Sequence, residues 1–293
     1  MSLELTASPT SPWRIPYDGS FNNAHLVHAF DRPADEQANE DRLEKLTKQM
    51  DDLQRPLYAG RQYAVLLIFQ ALDAAGKDGT IRSVFSGLDP AGVQVSAFKA
   101  PTELETRHDM LWRTGLCLPP RGVIGIFNRS YYEEVLTVRV HPEFLNSQYP
   151  AGVPDTKQLW PARFEAIRAH EQHLAQSGTA VLKFWLNVSL EKQRERFLSR
   201  LRTPSKQWKF NGRDVDESHF RDAYDEAFID MVNQTSRPWA PWYMIPANDK
   251  PAMRAEVANI VVQTLQTLNP QYPAVKETDR EKFIAYEAQL APD

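Results

Sequence analysis

The sequence predicts an α/β fold: a mostly parallel sheet with helices on both faces. Three observations carry this expectation. Five apolar runs of strand length alternate with segments of helical period, the pattern of repeated βαβ units. The first run, Tyr63 to Phe69, is apolar throughout and lacks a helical period, as expected of a strand buried on both faces. It leads directly into a small-residue loop ending at Gly76-Lys77, and Thr80 to Phe85 can begin a helix.

The elements follow in order. Residues 1–35 are polar and proline-bearing and read as an extended arm. From Glu36 to Leu57, the residues Leu43, Leu46, Met50, Leu53 and Leu57 recur at helical steps, giving an amphipathic helix. After the first strand, the candidates are Val93–Phe98, Val123–Phe127, Ala180–Leu186 and Trp242–Ile245. Helical patterns cover Glu103–Trp112, Trp160–Gln176, Leu190–Arg202 and Glu217–Thr235, with Ser189 placed to cap the third of these. Glu256 to Leu268 reads as a closing helix that Pro270 stops. No repeat or low-complexity linker divides the chain, so one domain over residues 36–270 is expected, followed by a tail at 271–293. The charged, irregular stretch Thr203 to Ser218 reads as a mobile loop or lid.

Composition narrows the function classes. A chain of 293 residues can bury a sizeable core, and its 42% hydrophobic and 25% charged content is that of a globular protein. The net charge of −4 gives no global basic field, so neither nucleic acid nor an acidic membrane is an expected partner. The lone Cys117 excludes an internal disulfide and a cysteine-based zinc site and fits a reducing compartment. No signal sequence or membrane span is visible, and a cytoplasmic protein is expected.

The loop after the first strand holds the chemistry. Strand, Gly-Lys loop and helix form a phosphate cradle: backbone N–H groups and a helix N-terminus face the anion, and a lysine reaches over it. The usual pattern is G-x-x-x-x-G-K-[ST]. Here Ala71 replaces the first glycine and Asp78 replaces the metal-binding hydroxyl. Asp73 and Asp78 would repel phosphate unless a divalent cation lay between, which points to carboxylate-held Mg²⁺. A bare Gly-Lys turn is also compatible with no function; the flanking strand and helix favour phosphate binding.

Further candidates lie elsewhere. Asn128 and Arg129 follow the third strand, where functional residues of such sheets gather, and Arg129 offers a planar fork to phosphate. Lys192, Arg196 and Arg200 recur along one helix, with Lys206, Lys209 and Arg213 beyond it. A one-signed run of this kind suits an anionic ligand, although charge runs are commonly just solvated faces. Lys99, Arg107, Arg113 and Arg121 could line the same cleft, and Asn248 and Lys250 could contact a nucleotide. His108-Asp109 lacks a serine elbow, and His170 to His173 misses the zinc-helix spacing.

Five separated segments, taken in order, resemble the family-2 polyphosphate kinases: ALDAAGKDGT, AFKAPTELETRHDMLWR, PPRGVIGIFNRSYYEEVLTVRVHPE, RFLSRLRTPSKQWKF and TSRPWAPWYMIPANDK. The resemblance covers roughly Leu43 to Leu268. It implies a three-layer αβα P-loop kinase fold with a central parallel sheet and a helical lid at about 196–218. It also implies transfer of phosphoryl groups between inorganic polyphosphate and nucleotides, dependent on Mg²⁺ with Mn²⁺ as a substitute. By motif, Asp73 (metal or acceptor positioning), Lys77, Asn128, Arg129 and Glu133 become the catalytic set. Ala74, Ala75, Gly76, Asp78, Gly79 and Thr80 become the phosphate loop; Lys99, Arg113, Arg196, Arg200, Lys206 and Lys209 become further polyphosphate contacts. Asn128 and Glu133 resemble the subgroup that accepts both mono- and diphosphates. Adenine and also guanine nucleotides are expected partners, and a homo-oligomer is expected. An ATP-dependent nucleotide kinase on the same core is the alternative, and a silent polyanion-binding protein a more distant one.

Overall fold

The computed structural model describes residues 7–31 and 35–291. Five parallel strands form one sheet: β1 (Ala64–Gln70), β2 (Val93–Ala97), β3 (Ile124–Asn128), β4 (Thr179–Asn187) and β5 (Trp242–Pro246). Their order is β2-β3-β1-β4-β5, and β1 pairs with β3 on one side and β4 on the other. Apolar residues explain which strands are central. Every residue of the central β1 and β4 is buried, whereas β2, at one edge, is largely exposed; β5, at the other edge, is buried because the N-terminal arm lies against it.

Side chains of β1 alternate between two cores. Val65, Leu67 and Phe69 enter one, with Leu46, Met50, Ile81, Val257, Val261 and Leu265. That side is covered by α1 (Glu36–Gly60), α2 (Lys77–Phe85) and α11 (Lys250–Leu268). Leu66 and Ile68 enter the other core, with Phe164, Ile167, Phe228 and Met231 from α7 (Thr156–Gln176) and α10 (Arg221–Thr235). The expected three-layer αβα arrangement is therefore present.

Between these elements lie shorter helices: α3 (Glu103–Thr106), α4 (Trp112–Gly115), α5 (Thr137–Val140), α6 (Leu145–Gln148), α8 (Leu190–Arg202) and α9 (Gly212–Glu217). The single helix expected over Glu103–Trp112 is thus two short pieces with a turn between them, in which His108 stacks on Trp112 at 3.8 Å between centroids. The lid region carries a 3₁₀ turn, Pro204–Lys209, and then α9. The tail expected at 271–293 holds an exposed helix, α12 (Glu277–Leu290), none of whose residues is buried.

The described part of the N-terminal arm lies along β5. Ile15 N–H donates to Trp242 O at 2.9 Å and Met244 N–H to Trp13 O at 2.9 Å, so the arm closes the otherwise open edge. Beneath the sheet, Lys183 is fully buried. Its Nζ donates to Glu171 (2.6 Å), the Tyr132 hydroxyl (2.8 Å) and Thr235 O (2.8 Å). Tyr131 and Tyr132 hydroxyls also donate to Glu171, which ties the segment after β3 to α7. No helix among the described residues is long and apolar enough to cross a membrane.

Candidate active site

The C-terminal ends of the parallel strands all open on one side of the sheet, where ligands bind in folds of this type. The loop after β1 sits at the centre. Gly76 has φ 108°, a conformation glycine adopts without strain, and it precedes α2 without any side-chain cap. The first-turn N–H groups of α2 are thus left to face an anion. Ala71 has ordinary backbone geometry, which is why this position needs no glycine. The demand falls instead on Ala74, at φ 60°, and on Arg129, at φ 63°. Left-handed backbone at non-glycine residues costs roughly 1–2 kcal/mol each. Both lie in the loops that carry the candidate chemistry, where strain of this kind gathers.

The structure brings together Asp73, Lys77, Asp78, Asn128, Arg129 and Glu133. Arg129 Nη2 donates to Asp73 Oδ1 at 3.0 Å, and Nη1 lies 3.6 Å from Glu133. Glu133 and then Asp73 hold the guanidinium's pKa above its ordinary value despite burial. Asn128 Nδ2 donates to Asp78 Oδ1 at 2.7 Å, so these two side chains position each other across the loops. Glu133 is oriented from two further sides: Thr137 Oγ1 donates to it at 2.6 Å, and the Gln70 amide donates at 2.8 Å while accepting from Ser130.

Three sequence expectations need correction. Lys77 does not stand over the loop; it is buried, with Nζ folded back on Ala71 O at 3.1 Å. Burial and then Arg129 push its pKa down, while Asp73, Glu133 and Asp78 oppose that shift. Thr80 offers no hydroxyl to phosphate, because Oγ1 turns inward and donates to Gly76 O at 3.0 Å. Arg196 does not line an open groove. Its Nη1 donates to Ala74 O (3.0 Å) and Ala75 O (2.8 Å), and its Nη2 to Ala247 O (2.6 Å) and Asn248 O (3.2 Å). It therefore clamps the phosphate loop to the turn after β5.

The other basic candidates lie apart. Arg200 pairs with Asp214 of α9 at 3.3 Å; Lys206 and Lys209 are exposed on the lid. Lys99 is exposed, and its carbonyl accepts from the buried Arg113 at 2.8 Å. Arg113 lines a separate cleft of about 460 Å³ at the ends of β2 and β3, with Glu134, Gln148 and Arg163. Burial raises the Glu134 pKa, and Arg163 keeps its Nε without a partner.

Two contributors were not legible in the sequence. Gln193 is buried and donates to Asp73 O at 2.8 Å, fixing the loop from α8. Asp214 is pushed up in pKa by burial and then by Asp73, so the lid brings a carboxylate close enough for Asp73 to affect its ionisation. Neither belongs to a sequence motif that could have flagged it.

The donor set fits a hard divalent cation. Among the described residues, Asp73 Oδ2 and Asp78 Oδ2 accept no hydrogen bond, and Mg²⁺ takes one or two carboxylates with water and substrate phosphates completing its shell. Among the described residues, no group of three or more potential ligands forms a self-sufficient cage.

With this geometry established, comparison with known proteins adds the family. The polyphosphate kinase 2 model matches residues 33–273. The chain belongs to the polyphosphate kinase 2 family. It is 46% identical over 249 residues to an ADP-polyphosphate phosphotransferase of Rhodopseudomonas palustris, covering 85% of this chain and 86% of that one. Against an AMP/ADP-polyphosphate phosphotransferase of Meiothermus ruber, identity is 41% over 276 residues, covering 93% and 98%. The crystal structure of polyphosphate kinase 2 from Arthrobacter aurescens superposes with a TM-score of 0.85 at 33% identity, covering 97% of this chain and 98% of that one. The P-loop kinase architecture and the phosphotransferase class follow from this membership.

Proposed function

We propose that the protein transfers phosphoryl groups between inorganic polyphosphate and nucleoside mono- and diphosphates, with Mg²⁺. The single observation that carries this reading is the convergence on an uncapped helix N-terminus of Lys77, Arg129 and the Asp73–Asp78 carboxylates. Bound Mg²⁺, held by Asp73 and Asp78, would supply the charge that screens these carboxylates from phosphate. Backbone N–H groups of α2 cradle the transferred phosphoryl, and Lys77 swings from Ala71 O to its oxygens. Arg129, oriented by Asp73 and Glu133, stabilises charge spread over those oxygens in transfer. The acceptor phosphate attacks in line and the shortened polyphosphate leaves. No covalent enzyme intermediate is required.

The cleft beside Arg113 is our candidate for the acceptor nucleoside, since its volume lies in the range of small-molecule sites and segments that follow β2 and β3 line it. Both monophosphate and diphosphate acceptors are part of the proposal. Asn128 carries no charge, which lowers repulsion of an acceptor with one phosphate more. Guanine acceptors, a homo-oligomeric state and a cytoplasmic location complete it; the single cysteine fits the last.

A time course from AMP, polyphosphate and Mg²⁺ in enzyme free of adenylate kinase tests the acceptor range. ADP should appear first and ATP later. ADP without ATP, or reaction with ADP alone, would overturn the dual-acceptor reading.

A further inference from the structure

Three successive carbonyls of the phosphate loop are held from outside it. Gln193 donates to Asp73 O at 2.8 Å, and Arg196 donates to Ala74 O and Ala75 O at 3.0 and 2.8 Å. Ala74 sits in left-handed backbone at φ 60°, a conformation that persists only where the surroundings over-determine it. The shape of the loop therefore depends on what fixes α8 and the far side of the Arg196 guanidinium.

Asn248 fixes both. Its carbonyl and that of Ala247 accept from Arg196 Nη2 at 3.2 and 2.6 Å. Its Oδ1 accepts from Ser189 N–H at 3.0 Å and its Nδ2 donates to Ser189 Oγ at 3.1 Å, which ties the turn after β5 to the N-cap of α8. Both ends of the amide are engaged within the protein, so the side chain is not presented to a nucleotide, as its place after the last strand suggested. Its N–H donates to His28 O at 3.1 Å.

His28 belongs to the second pass of the N-terminal arm. The first pass, at Trp13 and Ile15, pairs with β5. The chain then runs past α10, where Phe21 N–H donates to Asn233 Oδ1 at 3.1 Å and the Phe21 ring meets Phe228 edge-on at 5.9 Å. It returns over the C-terminal ends of β4 and β5. There Asn187 Nδ2 donates to Val27 O at 3.0 Å, and Phe30 packs edge-on against Trp13 at 5.2 Å. Closing the sheet edge needs only the first pass; the second lies on the turn that holds the Arg196 clamp.

We infer that residues 27–30 of the N-terminal arm, together with Asn248, position the phosphate loop for transfer. The arm fixes the turn after β5, the turn fixes Arg196 and the start of α8, and these fix the carbonyls of Asp73, Ala74 and Ala75. Neither the arm nor Asn248 touches a reacting atom; both act through Arg196. The effect on rate rests on the reading of the loop given above, whereas the effect on loop order does not.

Phe30→Ala loosens the second pass and leaves the β5 pairing in place. Phe21→Ala is its structural control, since it removes a more deeply buried ring of the same arm at α10. Hydrogen–deuterium exchange of peptides spanning 71–80, in the full-length protein without substrate, reads the order of the loop. Phe30→Ala should speed that exchange and lower kcat about tenfold, below the hundredfold that a 1 Å misplacement can cost, with KM for AMP unchanged. Phe21→Ala should lower Tm at least as much and alter neither readout. Asn248→Ala should also lower kcat at constant AMP KM; a raised AMP KM with unaltered kcat would make it a nucleotide contact and overturn its assignment. In an Arg196→Lys background, Phe30→Ala should add little, because the path is already broken. Unchanged loop exchange in Phe30→Ala, an equal change in Phe21→Ala, or full additivity with Arg196→Lys overturns the inference. A protein that transfers nothing from polyphosphate, yet shows the exchange pattern expected here, would sink the proposed function and keep the positioning role.

Discussion

Arg196 gives a sharp test of how the phosphate loop is built. Its guanidinium bridges two carbonyls of the loop and two of the turn after β5, at 2.6–3.2 Å. Burial lowers its pKa, so these contacts must outweigh the cost of placing a cation there. Hydrogen bonds to charged groups contribute about 1.5–3 kcal/mol each. With water replacing about half of them after truncation, Arg196→Ala should cost roughly 3–6 kcal/mol and sharply reduce turnover. Arg196→Lys is the decisive variant. A lysine keeps the charge, yet its single nitrogen cannot span both pairs of carbonyls. The clamp account expects Lys to resemble Ala in urea denaturation and in kcat. Wild-type stability and turnover in Arg196→Lys would refute it and restore a role for bare positive charge at this position.

Other expectations follow from particular contacts. Asp73→Asn should raise the Mg²⁺ concentration needed for half-maximal turnover and lower kcat at least about tenfold, while stability moves by less than about 1 kcal/mol because its pair with Arg129 is partly exposed. Metal titration and thermal melting check both halves. Ala74→Val should destabilise by about 2 kcal/mol or more, since a β-branched residue at φ 60° is strained; an unchanged melting curve would contradict the loop geometry. Lys183→Met should cost about 3–5 kcal/mol by leaving Glu171 buried without its cation, and adding Glu171→Gln should recover part of that loss in urea titrations.

The fold was legible where periodicity and burial agree. β1 reads from Tyr63–Phe69 because both its faces are covered, and all five strands fall within a few residues of their apolar runs. Strand order was not readable, because it depends on pairings between segments far apart in sequence. The Glu103–Trp112 stretch misled: the capping box at Thr102–Glu105 starts a helix there, but it ends after one turn, and the Asp109 side chain accepting from Leu111 N–H holds a local turn in place of its continuation. At the site, Asp73, Asn128 and Arg129 were expected from loop and strand-end logic; in the structure Arg129 contacts Asp73, and Asn128 contacts Asp78. Arg196 and Lys77 were identified as residues but not in their present settings. A basic side chain looks the same in sequence whether its partner is a phosphate or a backbone carbonyl. Gln193 and Asp214 act through tertiary proximity alone, and no local pattern announces that.

The central claim is that this loop moves phosphoryl groups from polyphosphate to a nucleotide. Product chromatography with AMP as acceptor, comparing polyphosphate with ATP as sole donor, tests it most directly when run on wild type and Lys77→Ala. Wild type should form ADP from polyphosphate and Mg²⁺, and a folded Lys77→Ala should lose several orders of magnitude in rate, the scale of removing a cation from the transferred phosphoryl. Transfer from ATP but not polyphosphate, or near-normal turnover in the folded variant, would contradict the account.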